Sequence, residues 1–209
     1  MTKQLIIVFV KNIKLGKVKT RLAKTIGNQA AFEVYSALVK VTEIAIENIL
    51  TDKRIYFSET IVKTNWENCQ KAVQEGKDLG ERMKNAFKKG FEDGYERIVL
   101  IGSDLPDIHS KHIEKGLQAL ETNEVVFGPA LDGGYYLIGL SKSHPFIFEK
   151  KPWSEPQLLA VSLEELQQKN ISFSLLETLN DIDTFEDLKA SNFYTSNEKL
   201  RQKIQQLHD

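Results

Sequence analysis

The chain has a single cysteine, Cys69, which excludes an internal disulfide framework and suits a reducing, cytoplasmic setting. Neither sign of charge dominates: 28 Lys and Arg stand against 29 Asp and Glu, for a net charge of −1. Without a long run of one sign there is no electrostatic footprint for nucleic acid, and no nucleic-acid partner is expected. Long apolar runs are missing too. Leu5 to Val10 is too short for a membrane span, or for a signal-peptide core with its cleavage site, so it is expected to be a first buried strand. Internal repeats and low-complexity segments are absent. So are the Walker A pattern, the Gly-x-Gly-x-x-Gly fingerprint, and His or Cys at zincin or zinc-finger spacing.

What the 209 residues do contain suits one α/β domain with enough apolar content to bury a core. Arg97-Ile98-Val99-Leu100-Ile101-Gly102-Ser103-Asp104-Leu105-Pro106-Asp107 reads as a strand covered on both faces and stopped by Gly-Ser-Asp and a proline. Asp104 then lies just past the carboxyl end of a central parallel strand, where ligands bind in open α/β sheets. It is either the hydrogen-bonding anchor of a turn or a ligand for a hard cation such as Mg²⁺.

After the first strand, Lys11 to Leu22 packs five basic residues around Gly16 and leads toward a helix. That is either a solvated basic loop or an anion site, where Lys and Arg join backbone N–H groups at a helix start. The periodicity of Ala31, Val34, Leu38, Val41 and Ala45 predicts a helix from a cap at Asn28 to about Leu50. Ile55–Phe57 reads as a strand, and the signal from Glu59 to Gln74 is weak. Asp78 is expected to cap a helix, with Glu81 as its box partner. Glu81 and Arg82 suit a solvated face as well as a site.

A helix is expected from Ser110 to Leu120, with His109 and His112 at the surface, and strands at Glu124–Pro129 and Tyr135–Leu140. Between those strands, Asp132-Gly133-Gly134 is either an Asp-Gly hairpin turn or a pocket wall where backbone approaches a ligand closely. A helix from about Glu155 to Gln168 places Leu158, Val161, Leu163 and Leu166 inward, and Ser172–Leu176 is a strand. Thr184 and Asp187 resemble a capping box. Asp181 and Asp183 either favour that helix start or meet Asp104 across a cleft as a second oxygen ligand. Residues 1–191 form the expected domain. Residues 192–209 form a polar helical tail that packs loosely or serves a partner.

Taken together, the loop Lys11…Gly16-Lys17-Val18-Lys19-Thr20-Arg21-Leu22, Asp78-Leu79-Gly80-Glu81-Arg82-Met83, Ile101 to Asp107, Gly128-Pro129-x-x-Asp132-Gly133-Gly134-Tyr135-Tyr136 and Asp181-Ile182-Asp183-Thr184 resemble a family of uncharacterised bacterial transferases. The family is CofC-like or glycosyltransferase A-like, and similar to nucleotide-diphospho-sugar transferases and phospholactate guanylyltransferase. The resemblance spans roughly residues 5 to 190; where the family usually has a proline two residues after the first lysine, this chain has Ile13.

The resemblance implies a GT-A-like, Rossmann-like three-layer sandwich with a mostly parallel central sheet. It implies Mg²⁺ or Mn²⁺ held by Asp104 and Asp183, and a nucleotide site of Lys11, Gly16, Lys19, Arg21 and Ser103. It also implies an acceptor pocket of Asp132, Gly133, Gly134 and Tyr135. The preferred reading is nucleotidyl transfer from a nucleoside triphosphate to a small phosphorylated or carboxylated acceptor, with release of pyrophosphate. Lys19 and Arg21 would stabilise the phosphates catalytically. An acceptor that is already an anion needs no protein base. The alternatives are glycosyl transfer from a nucleotide sugar, with Asp132 as base, and a nucleotide-binding module without catalysis.

Overall fold

The computed structural model describes residues 2–63 and 66–207. Seven strands form one sheet: β1 (Gln4–Val10), β2 (Asp52–Phe57), β3 (Gln70–Val73), β4 (Arg97–Ile101), β5 (Val125–Pro129), β6 (Tyr135–Leu140) and β7 (Phe173–Leu175). Their spatial order is β3-β2-β1-β4-β6-β5-β7. Every pairing is parallel except those of β6 with β4 and β5. The expected mostly parallel sheet is therefore present.

The chain leaves β1 toward β2 on one side and returns at β4 on the other. The β1–β4 boundary is thus a topological switch point, and a crevice opens beyond its carboxyl ends. Successive residues of β1 face opposite sides. Ile6, Val8 and Val10 join a core with α1 (Thr20–Glu47) and α3 (Ser110–Ala119). Leu5, Ile7 and Phe9 join another with α2 (Leu79–Glu92), α4 (Leu158–Gln168) and the 3-10 turn Pro145–Phe148. Burial on both faces is why β1 and β4 read as unbroken apolar runs. These layers form the three-layer sandwich.

α1 opens at Thr20, where the basic loop runs straight into a short helical piece, and the expected long helix from Asn28 follows it. Gly27 then breaks the helical geometry at φ 77° and ψ 161°, a conformation glycine adopts without steric cost. A second stripe of α1, through Leu22, Ile26, Val34 and Leu38, buries Leu188 of α5 (Phe185–Ala190) and, of α7 (Glu198–Gln206), Leu200 and Ile204. The short α6 (Asn192–Ser196) joins α5 to α7. The tail is therefore docked through an apolar face, with Lys203 paired to Glu33 at 2.8 Å. Its last two residues lie outside the described residues.

Further differences have local causes. β3 is short, with no fully buried position, so no two-residue apolar alternation announces it. Val161 faces outward, because α4 begins only at Leu158 and turns Ser162 inward beside Leu158 and Leu166. His112 is buried, not at the surface. Its Nδ1 accepts the His109 backbone N–H at 3.0 Å and its Nε2 lies 3.0 Å from Glu177. Burial is the main influence depressing its pKa below the ordinary histidine value.

Candidate functional site

The loop after β1 ends at Lys19, whose backbone is left-handed at φ 45°. A non-glycine residue in that region is uncommon and tends to mark functional geometry. The Lys19 side chain is only 5% exposed, and its Nζ lies 3.0 Å from Asp104 Oδ2 and 3.1 Å from Asp183 Oδ1. Burial works against its charge, but Asp104 and Asp183 outweigh that effect and hold its pKa above the usual lysine value. Arg21 reaches the other oxygen of Asp183 at 3.3 Å while staying 69% exposed. The strand end, the turn after β7 and the basic loop thus converge on one ammonium.

The turn carrying Asp183 is fixed locally. The Thr184 hydroxyl accepts the Asp187 N–H, and Asp187 Oδ2 accepts the N–H groups of Thr184 at 2.7 Å and Asp183 at 3.2 Å. Between the two acids, Ile182 is buried. Asp181 lines the adjoining cleft, where burial and then the charge of Asp104 push its pKa up to about 6.

Ser103 turns inward. Its Oγ lies 2.9 Å from the Tyr35 hydroxyl, which accepts the Lys11 backbone N–H at 2.9 Å. Ser103 and the backbone of Lys11 therefore brace the site through Tyr35. The side chain of Lys11 is exposed and borders a separate cavity of about 360 Å³ with Asn12, Thr60, Val62 and Trp66. Gly16 closes a turn in which the Lys17 N–H reaches Lys14 O at 3.0 Å, facing Asn28 rather than the carboxylates.

The cleft beside Asp104, of about 210 Å³, is lined by Asp132, Gly134, Tyr135, Trp153, Leu158 and Asp181 among others. Gly133, expected in the pocket, does not line the cleft but packs behind its neighbours against Pro156. Its φ is 87°, and a Cβ there would stand 1.9 Å from Pro156 O. Its carbonyl accepts the Leu159 N–H at 3.0 Å, so the turn is docked on the start of α4. Asp132 Oδ1 accepts the Gly134 N–H at 2.9 Å, which makes this carboxylate a turn anchor at the cleft mouth. Leu79 and Leu158, the first residues of α2 and α4, also line the cleft.

Asp104, Asp183, Lys19 and Arg21 are thus brought together, and Asp132, Gly134 and Tyr135 line the neighbouring cleft. Tyr35 and Trp153 are site residues the sequence reading missed. Tyr35 sits on the apolar stripe of α1, where a hydroxyl is the only hint of a polar partner.

Two carboxylates already grip one cation, which suits a hard divalent ion. Mg²⁺ is commonly held by one or two carboxylates, with phosphate and water oxygens completing its shell. Among the described residues no group of three or more His, Cys, Asp or Glu forms an all-protein cage, so a bound nucleotide would have to supply the remaining donors. Among the described residues no helix is long and apolar enough to cross a membrane.

A family described as "Uncharacterized protein conserved in bacteria (DUF2064)" matches residues 43–155. The chain is 25% identical over 192 residues to a 2-phospho-L-lactate guanylyltransferase of Methanocaldococcus vulcanius, covering 87% of this chain and 82% of that one. A crystal structure from Desulfovibrio desulfuricans, provisionally described as a nucleotide-diphospho-sugar transferase, superposes with a TM-score of 0.87 at 32% identity, covering 99% of both chains. The inositol-1-phosphate CTP transferase of T. maritima shares the fold alone, with a TM-score of 0.54 at 15% identity over 97% of this chain and 96% of that one.

Proposed function

This chain belongs to the DUF2064 family and is an enzyme of the transferase class, and we propose that it transfers a nucleotidyl group. The donor is a nucleoside triphosphate, the acceptor a small phosphorylated or carboxylated molecule, and the by-product pyrophosphate. The observation that carries this reading is the Lys19 ammonium set between Asp104 and Asp183 at the mouth of the switch-point crevice.

In this reading Asp104 and Asp183 hold Mg²⁺ or Mn²⁺. Such an ion supplies charge neutralisation and alignment of phosphate oxygens. Lys19 and Arg21 stabilise the charge that grows on the α-phosphate and the departing pyrophosphate, Arg21 through its planar fork. The nucleoside half extends toward Lys11 and its cavity, which Tyr35 links to the strand end. The acceptor enters the cleft between Asp132–Tyr135 and Trp153. No lysine, arginine or histidine lines that cleft among the described residues, whereas Asp104, Asp132, Glu155 and Asp181 do, so an anionic acceptor depends on the metal. The guanylyltransferase similarity supports nucleotidyl transfer.

A second reading, glycosyl transfer from a nucleotide sugar, draws on the D. desulfuricans structure. There Asp132 or Asp181 would serve as base. The test is turnover with each nucleoside triphosphate, Mg²⁺ and a panel of small phosphates and carboxylates. Nucleotidyl transfer predicts pyrophosphate release that Asp104→Asn slows by about a hundredfold or more. Release of a nucleoside diphosphate from nucleotide sugars, with no pyrophosphate from any triphosphate, would overturn it.

A further inference from the structure

We infer that Lys19 guards the carboxylate pair, holding the place between Asp104 and Asp183 until a nucleotide draws it away, so that free divalent metal is refused. The inference rests on the metal-dependent reading above and adds an order of events to it.

Three observations carry it. First, one nitrogen engages both carboxylates at 3.0 and 3.1 Å, so the ammonium and a metal bound by the same two oxygens would compete for one position. A dication would have to sit about 2 Å from its oxygen ligands, in strong repulsion with an ammonium left in place. Second, the Lys19 side chain is almost wholly enclosed, so little solvent screens that repulsion on its side. Third, only the side chain has to move. The Lys19 carbonyl is anchored by the Ala23 N–H at 2.8 Å, so the backbone stays in place while the long, flexible stem leaves its enclosed position when phosphate oxygens offer a competing anion.

Arg21 behaves differently. It is exposed and holds the outer oxygen of Asp183, so it can meet a phosphate without first leaving the pair. One cation holds the metal's place and the other waits at the rim. The consequence is selection for the metal–nucleotide complex over free metal ion.

The test is Mn²⁺ binding by electron paramagnetic resonance on the full chain without nucleotide. Lys19→Met and Lys19→Gln are compared with the unaltered protein, with the exposed-loop control Lys17→Met, and with Asp104→Asn placed in the Lys19→Met background. Both Lys19 variants are expected to bind Mn²⁺ at least tenfold more tightly than the unaltered protein, with Lys17→Met unchanged and the Asp104→Asn double variant losing the gain. Mn²⁺ should also raise the melting temperature of Lys19→Met more than that of the unaltered protein. Adding an α,β-methylene nucleoside triphosphate should tighten Mn²⁺ binding to the unaltered chain at least tenfold. If that tightening occurs but neither Lys19 variant gains affinity, the guarding role is overturned alone. If no variant binds Mn²⁺ with or without the analogue, the metal reading falls with it.

Discussion

The Tyr35 hydroxyl joins the Ser103 hydroxyl, 2.9 Å away, to the backbone N–H of Lys11, also at 2.9 Å. One phenol on α1 therefore ties the ends of β1 and β4, the two strands that flank the crevice. Burial pushes its pKa up to about 12, so it remains protonated through any working pH. Tyr35→Phe leaves the buried Ser103 hydroxyl and the Lys11 N–H without their partner. The expected loss is about 1–2 kcal/mol of stability, read by urea denaturation, with weaker nucleotide binding in calorimetry.

Asp181 sets a pH signature. Burial, and then the charge of Asp104, push its pKa in the folded chain up to about 6, above the ordinary aspartate value of 3.8. Folding therefore favours the protonated form. The contribution to stability is fully present below about pH 4 and is lost as pH rises through about 6. Asp181→Asn should flatten that part of the melting-temperature profile in EDTA. At pH 7 it should be more stable than the unaltered chain, by about 1–2 kcal/mol after allowing for solvent screening. An unchanged profile would contradict the burial described.

Gly133 and Gly134 stand side by side but should respond differently. Ala at 133 meets Pro156 O at 1.9 Å from a backbone at φ 87°, and the expected loss is at least about 2 kcal/mol together with disruption of the cleft. At 134 an added Cβ meets only the flexible Asp132 carboxylate at 3.1 Å. Gly134→Ala should therefore fold nearly normally, and denaturation of the two variants makes the comparison.

Lys19 and Asp104 should be required for turnover. Lys19→Ala or Asp104→Asn is expected to lower kcat by about a hundred- to a thousandfold, with the fold retained by circular dichroism. Arg21→Ala, at an exposed position, should cost less and act mainly on the apparent affinity for triphosphate.

How far the sequence could foretell this architecture depends on where each residue finds its partners. β1 and β4 announce themselves because both faces are buried, and Asp78 does cap α2, accepting the Glu81 N–H at 2.8 Å. The Thr184–Asp187 box is present as its spacing suggests. The convergence of Asp104 with Asp183 was legible as an alternative from strand-end placement, and from the resemblance as an assignment. The Lys19 ammonium between them was not, because a basic loop gives no sign of which cation turns inward. His112 and Tyr35 escaped for the same reason: their partners, Glu177 and Ser103, lie far away in the chain. β3 was illegible because an edge strand with no fully buried position carries little pattern.

Nucleotidyl transfer is tested most directly by calorimetric titration of the protein with nucleoside triphosphates and with nucleotide sugars, each with and without Mg²⁺. It predicts that one triphosphate binds most tightly, that removing Mg²⁺ weakens it at least tenfold, and that Asp104→Asn abolishes this metal dependence. Tighter binding of a nucleotide sugar than of any triphosphate, or triphosphate binding indifferent to both Mg²⁺ and residue 104, would contradict it.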